Sequence, residues 1–443
     1  MRLVPWLVVA GIAAFPAMAI AQQRVSLAGT WQIAARQADG SFGPELPIEV
    51  PSAFETVLGL TFDGVARYRR TLPPTPTPAA RTTLEFAAIA THATVFCNGQ
   101  EVGQHLGGWT PFRVDVTTAL QQNGADEPDV LEVLVDERVG HNTQGFLPIV
   151  QPHFGGIWQD VTLCRHDTVS IDRHEVLVFG TWDGAQDGTL RVGCGLLVAG
   201  AVPEALTLTV DVCAGDRTLT SHSRALAEPD RAETTVRCAD VRPWAPGAPQ
   251  LYDVHLVLRS GGTELDRVTH RVGFRDLRAE GTKVLWNGAP LQMRGILHWG
   301  YSPPHLAPPS DPAFWRPQLE YFQRLGFNTL KCCLWVPPPC VYALCDELGL
   351  CVWQEYPTWH PHLDQAHKAE LLREYGEFFV GDRSHPSVAF RSITCETGHG
   401  ADLDVVQALY SACKAAVPDT LVVDDSSWLG WQRITIFSQV IFR

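Results

Sequence analysis

At Arg278 the hydrophobic period of the chain changes, and one fold cannot accommodate both patterns. Before that point, short runs alternate apolar and polar residues between clusters of Gly, Pro, Asn and Asp, the signature of antiparallel strands with one buried face. After it, short apolar runs alternate with longer segments of helical period, which imposes parallel pairing through right-handed crossovers. The 443 residues correspond to roughly three domains at about 150 residues each. The expected architecture is multidomain β plus α/β.

The β-rich part divides in two. From residue 22 to 166, runs such as Thr30–Ile33, Thr83–Phe86, Ala93–Cys97, Val130–Val135 and Val161–Leu163 predict a jelly-roll β-sandwich. Asn98-Gly99 between two such runs is a strong hairpin signal. From residue 167 to 277, Glu175–Phe179, Leu206–Val212, Val254–Leu258 and Arg267–Val272 predict an immunoglobulin-like β-sandwich, with no polar cluster that points to chemistry.

From residue 278 to 443 the predicted order is strand Leu291–Ile296, helix Asp311–Leu325, strand Phe327–Leu334, helix Pro338–Leu348, strand Leu350–Tyr356, helix Asp364–Val380, strand Val388–Cys395, helix Ala401–Ala416 and strand Thr420–Asp425. Asp311 reads as an N-cap and Pro312 as a first-turn residue. Eight strands and about 250 residues make a complete (β/α)8 TIM barrel. Five strands make an incomplete one.

Residues 1–21 combine Arg2, an apolar centre and the small-residue sites Ala17-Met18-Ala19 and Ala19-Ile20-Ala21, as a secretory signal peptide does. Pro5 and Pro16 shorten the apolar run below a comfortable membrane span. The expectation is a periplasmic or extracellular protein with no membrane contact after cleavage. With 34 basic against 48 acidic residues the net charge is −14, so nucleic acid is not an expected partner. Twelve cysteines are permitted to pair in an exported protein. The spacing of Cys332, Cys333, Cys340, Cys345 and Cys351 does not match a structural zinc site, and small buried hydrophobes are the better reading.

The segment Arg383–Gly400, RSHPSVAFRSITCETGHG, supplies the sharpest functional signal. A buried parallel strand ends there at Glu396, and the carboxyl ends of such strands carry chemistry. Taken alone, a glutamate at a strand end is equally a surface residue. HPSVAFRSITCE, however, resembles the acid/base segment of glycoside hydrolase family 2, the β-galactosidase, β-glucuronidase and β-mannosidase group, in which a hydrophobic strand closes with Asn-Glu. Here Cys395 stands in place of that Asn. The phrases AGTWQI (28–33), ARYRRTL (66–72), FCNGQEVGQHLGGWTPFRVDVT (96–117) and GGIWQDVTL (155–163) resemble the family's first domain. RPWAPGAPQLYDV (242–254) and RVGFRDL (271–277) resemble its middle domain, and NGAPLQMRGILHWGY (287–301) its barrel. The Gly-Gly-Trp at 107–109 and Gly-Gly-Ile-Trp at 155–158 are read as tight turns with core aromatics ahead of sugar contacts.

The resemblance implies hydrolysis of β-glycosidic bonds by a retaining two-carboxylate mechanism with Glu396 as acid/base. Strand ends on one rim are expected to present His298, Trp299, Trp335, Glu355, Trp359, His360, Cys395, Asp425 and Trp428 around a carbohydrate substrate, flat rings facing its CH surface. Glu355 matches a family carboxylate that helps to hold magnesium in some members, but the neighbouring ligands are not reproduced, so no cofactor is expected. His360 and His362 with Glu355 are the one metal grouping weighed at the rim, behind the reading as ordinary polar residues. The family's nucleophile follows on a later strand. The apolar ending ITIFSQVIFR therefore implies a fragment or an early-terminated frame, inactive by itself. The alternative reading is a non-catalytic carbohydrate-binding or scaffolding protein.

Overall fold

The computed structural model describes residues 22–426 apart from 75–78, 123–126, 138–139, 146, 148, 167, 228–230 and 398–400. The expected signal peptide and Trp428 lie outside the described residues.

The first region is two antiparallel sheets face to face. One orders the strands Gln22–Ser26, Val161–His166, Arg81–Phe86 and Phe112–Asp115; the other orders Leu46–Val50, Gly29–Ala35, Val65–Thr71, Val130–Asp136, His92–Cys97 and Gln100–Leu106. Alternation in sequence becomes alternation in burial: Val130–Asp136 buries every second residue, and Leu131, Val133 and Val135 join Trp31, Phe54, Tyr68 and Phe86 in one core. At the hairpin between His92–Cys97 and Gln100–Leu106, Asn98 and Gly99 take φ +51° and +78°, the left-handed pair that a tight two-residue turn requires. Trp109 and Trp158 are buried at 6% and 3% exposure, so the Gly-Gly turns do hold core aromatics.

The second region pairs Arg231–Cys238, Gly188–Val198, Val169–Trp182 and Phe274–Arg275 in one sheet against Arg217–Ala225, Leu206–Ala214, Tyr252–Ser260 and Thr263–Val272 in the other. A three-stranded sheet, Leu277–Glu280, Lys283–Trp286 and Ala289–Pro290, follows it.

The last region is a single five-stranded parallel sheet in sequential order. Its elements are β1 (Gly295–His298), α1 (Pro312–Arg324), β2 (Thr329–Cys332), α2 (Pro339–Leu348), β3 (Cys351–Glu355), α3 (Lys368–Asp382), β4 (Val388–Cys395), α4 (Leu403–Ala416) and β5 (Leu421–Ser426). Asp311 caps α1 by accepting from the Ala313 amide at 2.8 Å, and Pro312 opens the helix. Gly349 ends α2 in the left-handed conformation.

Two predicted starts move furthest. The strand expected at Leu291–Ile296 is Gly295–His298, because the Leu291 amide bonds Val284 O at 2.8 Å and Leu291 and Met293 pack with Trp244 and Trp286. The helix expected from Asp364 begins at Lys368, since Asp364 instead closes a turn on His367 through Nδ1 at 2.8 Å. All twelve cysteines are free thiols, buried except for the half-buried Cys340.

Both sandwiches hold the parallel sheet. Trp109, Leu147, Phe154 and Trp158 share a core with Leu306, Trp315, Trp335 and the packed faces of the helices. At Gly145 a Cβ would lie 2.3 Å from the Leu334 carbonyl oxygen, so only glycine allows that loop to close on the end of β2. From the second sandwich, Arg275 donates to the carbonyls of Pro386 and Val388 and reaches Asp419 at 3.1 Å. The Trp244 indole donates to Asp346 O at 2.8 Å. Among the described residues no helix is long and apolar enough to cross a membrane.

Candidate active site

Every residue of β4 is buried, as suits an interior strand of a parallel sheet, paired with β3 on one side and β5 on the other. At its exit Glu396 adopts φ +51°, a left-handed conformation uncommon outside glycine that turns its side chain off the strand line. A second such residue faces it: His360, after β3, has φ +47°. The two segments are zipped together by main-chain bonds, Cys395 N to Thr358 O at 3.0 Å and His360 N to Cys395 O at 3.3 Å. That pairing brings the Trp359 indole within 2.9 Å of Glu396 Oε2, to which it donates, and His360 Nε2 within 3.5 Å of the same oxygen. The Glu396 side chain is 27% exposed.

Deeper in, Glu355 at the end of β3 is fully buried. Lys331 Nζ lies 2.9 Å from its Oε2, and the Cys333 thiol donates to its Oε1 at 3.0 Å. Lys331 also donates to Ser426 Oγ at 3.2 Å and sits 5.1 Å from the Trp353 ring. One lysine thus joins β2, β3 and β5 and neutralises the buried carboxylate, which a lone charge there would require. Cys395 packs with Cys333, Leu334 and Trp359; burial, with the Glu355 charge, pushes its thiol up to about 12, so it is a neutral apolar neighbour of Glu396. Asp425, on β5, accepts from the Thr397 amide at 3.3 Å, and burial raises its carboxyl to about 6.

The remaining expected rim residues form a separate group. His298 Nδ1 accepts from the Gly300 amide at 2.9 Å, its carbonyl accepts from the Trp335 indole at 2.8 Å, and burial lowers its pKa, favouring neutral imidazole. Trp335 is corrected from a rim platform to a core residue: it is 1% exposed and stacks on Trp315 at 5.6 Å. Trp299 is 50% exposed and, with Tyr301, Trp109 and Phe154, lines an aromatic cleft. Neither Glu396 nor Trp359 nor His360 lines that cleft; Leu334, which does, also packs with Trp359 and Cys395.

His360, His362 and Glu355 do not converge. His360 faces Glu396, Glu355 is sealed by Lys331, and His362 stacks on His367 at 5.8 Å. Among the described residues, two other clusters bring three potential metal ligands together: Glu55, Glu137 and His153, and His141, Glu370 and Glu374. Sequence reasoning also passed over Lys331 and Cys333, which face Glu355 across strands. Their signal was Lys331 inside an apolar run, since lysine is almost never buried without a partner.

A family model described as "Glycosyl hydrolase 2 galactose-binding domain-like" matches residues 62–145, and one described as "Glycosyl hydrolases family 2" matches residues 176–275. Two stretches of the chain are thus similar to domains of glycoside hydrolase family 2. Both matches fall in the sandwiches. A β-galactosidase of Thermoanaerobacter pseudethanolicus is 26% identical over 318 residues, 69% of this chain and 41% of that protein. The chain thus spans less than half the length of that curated relative. The β-glucuronidase of Bifidobacterium dentium, solved in complex with coumarin-3-O-glucuronide, superposes with a TM-score of 0.78 at 19% identity, covering 91% of this chain and 74% of that one. The β-glucuronidase of Parabacteroides merdae gives 0.78 at 18%, covering 94% and 61%. At these identities the likeness is one of fold.

Proposed function

We propose that this chain carries the acid/base part of a retaining β-glycoside hydrolase site, with Glu396 as the proton donor and then the base that activates water. The observation that carries the reading is the Glu396 carboxylate at the exit of β4, held by the Trp359 indole at 2.9 Å and 27% exposed. An indole that donates to one oxygen fixes the carboxyl orientation. The His360 imidazole at 3.5 Å is a polar contact for a sugar hydroxyl or for Glu396 itself. Trp299 and Tyr301 in the adjacent cleft offer the flat surface that a sugar or aglycone stacks on.

In this reading the five parallel strands are part of a (β/α)8 barrel, and the boundaries at residues 22–166, 167–277 and 278–443 separate two supporting sandwiches from the catalytic region. The second carboxylate, needed about 5 to 5.5 Å from the first, belongs to the part of the family fold beyond the region matched. Export by a leader at residues 1–21 completes the reading. A substrate restricted to galactosides or glucuronides does not follow, because Cys395 replaces the residue that the resemblance assigns to the sugar 2-hydroxyl.

The test is a panel of aryl β-glycosides offered to the 443-residue chain and to a form extended through the rest of the family fold. Glu396→Gln is expected to lower kcat of the extended form by roughly 10²- to 10⁴-fold and to leave its thermal midpoint unchanged. Normal turnover by that variant removes Glu396 from the mechanism. Sugar binding with no hydrolysis by either form supports the carbohydrate-binding alternative instead.

A further inference from the structure

Three buried side chains of the first sandwich lack the partners their chemistry calls for. Glu55 opens the short helix Glu55–Leu58, Glu137 follows the strand Val130–Asp136, and His153 precedes the turn at Gly155 and Gly156. Their exposures are 1%, 1% and 7%. One ligand-capable atom from each lies within 4.8 Å of the other two: His153 Nδ1 is 2.5 Å from Glu137 Oε1 and 3.6 Å from Glu55 Oε1. Both oxygens of Glu55, Oε2 of Glu137 and Nδ1 of His153 have no hydrogen-bond partner in normal geometry. Among the described residues, His153 is the one ion-pair partner that either glutamate has. Isolated carboxylates at such depth are costly unless they are protonated, paired or coordinating a metal.

The other three-ligand cluster differs in the decisive respect. Glu374 already receives the Thr143 hydroxyl and Arg373, and Glu370 is 37% exposed. Its charges are met by protein donors.

We propose that Glu55, Glu137 and His153 bind one divalent first-row transition cation, zinc foremost, through a carboxylate oxygen of each glutamate and Nδ1 of His153. The donor set decides the class: an imidazole nitrogen disfavours calcium and magnesium, whereas two carboxylates and one imidazole are a set that zinc accepts, with water free to complete four-coordination. The charge balances, two positive against two negative, beside a core that contains Phe54 and Tyr68. The surroundings are tight: a Cβ on Gly155 would strike the Phe54 ring at 2.5 Å, and one on Gly156 the Tyr68 hydroxyl.

The consequence is mechanical. Glu137 and His153 bound the segment that carries Thr143, bonded to Glu374, Gly145, closed on Pro357 O at 2.7 Å, and Leu147, on the aromatic cleft. A cation joining the two ends to Glu55 clasps the loop by which the first sandwich reaches the parallel sheet. This inference is independent of the glycosidase reading.

The experiment uses the 443-residue chain, freed of metal with a chelator and titrated with ZnCl2, MnCl2, CaCl2 and MgCl2 by calorimetry and thermal denaturation. Glu55→Gln, Glu137→Gln and His153→Gln are carried in parallel. One equivalent of zinc with a midpoint rise of roughly 5 °C or more at saturation, absent in the Glu137 and His153 variants, is the expected result. No midpoint change in the unaltered chain overturns the proposal. So does zinc uptake that the three variants retain, which assigns the metal to surface histidines, or a response to calcium or magnesium alone. Should Glu137→Gln fail to fold, Glu55→Gln, which keeps the side-chain shape, carries the comparison.

Discussion

The two ends of β4 are built in opposite ways. At the entry, charges are paired: His385 Nδ1 meets Asp346 Oδ2 at 2.6 Å, the Ser387 amide donates to Asp346 Oδ1 at 2.9 Å, and Arg275 grips the carbonyls of Pro386 and Val388. One step on, Arg391 donates to Asp382 at 2.7 Å and to Thr420 at 2.6 Å, with both charged side chains sealed from solvent. At the exit, Glu396 has a left-handed backbone and a carboxylate more than a quarter exposed. Over-determined packing at one end lets the other tolerate backbone strain, the arrangement expected where strand tips hold chemistry. The His-Pro-Ser opening of the segment is therefore an anchor for α2.

The sharpest break in that contrast comes from the buried pair. Asp382→Ala strands the Arg391 guanidinium and is expected to cost about 3 to 5 kcal/mol, read as a lowered urea midpoint, whereas Glu396→Gln moves it by less than about 0.5 kcal/mol. Equal losses at the two ends would erase the distinction.

Trp359→Phe keeps the ring and deletes the N–H that holds Glu396 Oε2. The expected outcome is roughly a tenfold fall in kcat/KM of the extended form, the scale of one hydrogen bond to a charged group, with an unaltered melting curve. A fall in stability and unaltered kinetics would make the indole a packing residue only.

The anchor itself has a pH signature. Burial acts to lower the His385 pKa, but the Asp346 charge and hydrogen bond outweigh it, so the folded value is raised. The stabilisation is then complete below the unfolded pKa of about 6.5 and is lost as pH rises through the folded value. Asp346→Asn removes it, so the stability gap between the two proteins should be about 1 to 2 kcal/mol near pH 6 and shrink toward alkaline pH. A gap that widens with pH would reverse the sign of the linkage. The smallest effect concerns the thiols: Cys340, half-buried among buried cysteines, should react first with a thiol reagent under native conditions, and Cys395 only on unfolding.

How much could be read from residues alone tracks the range of the signal. The limits of β4, the Asp311 cap, the Asn98-Gly99 turn and the buried face of Val130–Asp136 follow from neighbours a few positions apart, and they stand as read. The start of the parallel sheet did not, because Leu291 and Met293 are as apolar as strand residues but are claimed by Trp244 and Trp286. The same limit hid Trp335, whose exposed or stacked state turns on Trp315 twenty positions away and cannot be told from composition.

The sequence by itself determined the change from sandwich to parallel sheet and the strand that ends just before Glu396, since period and local spacing encode these directly. Only the tertiary structure decided which residues Glu396 meets. It brought Trp359 and His360 to its carboxylate, sealed Glu355 with Lys331, moved Trp299 to a neighbouring cleft, and gathered Glu55, Glu137 and His153 from positions 16 to 98 residues apart. Parallel strands joined by helices bring their tips together in space while holding them far apart along the chain, so the contacts at a rim leave no local trace.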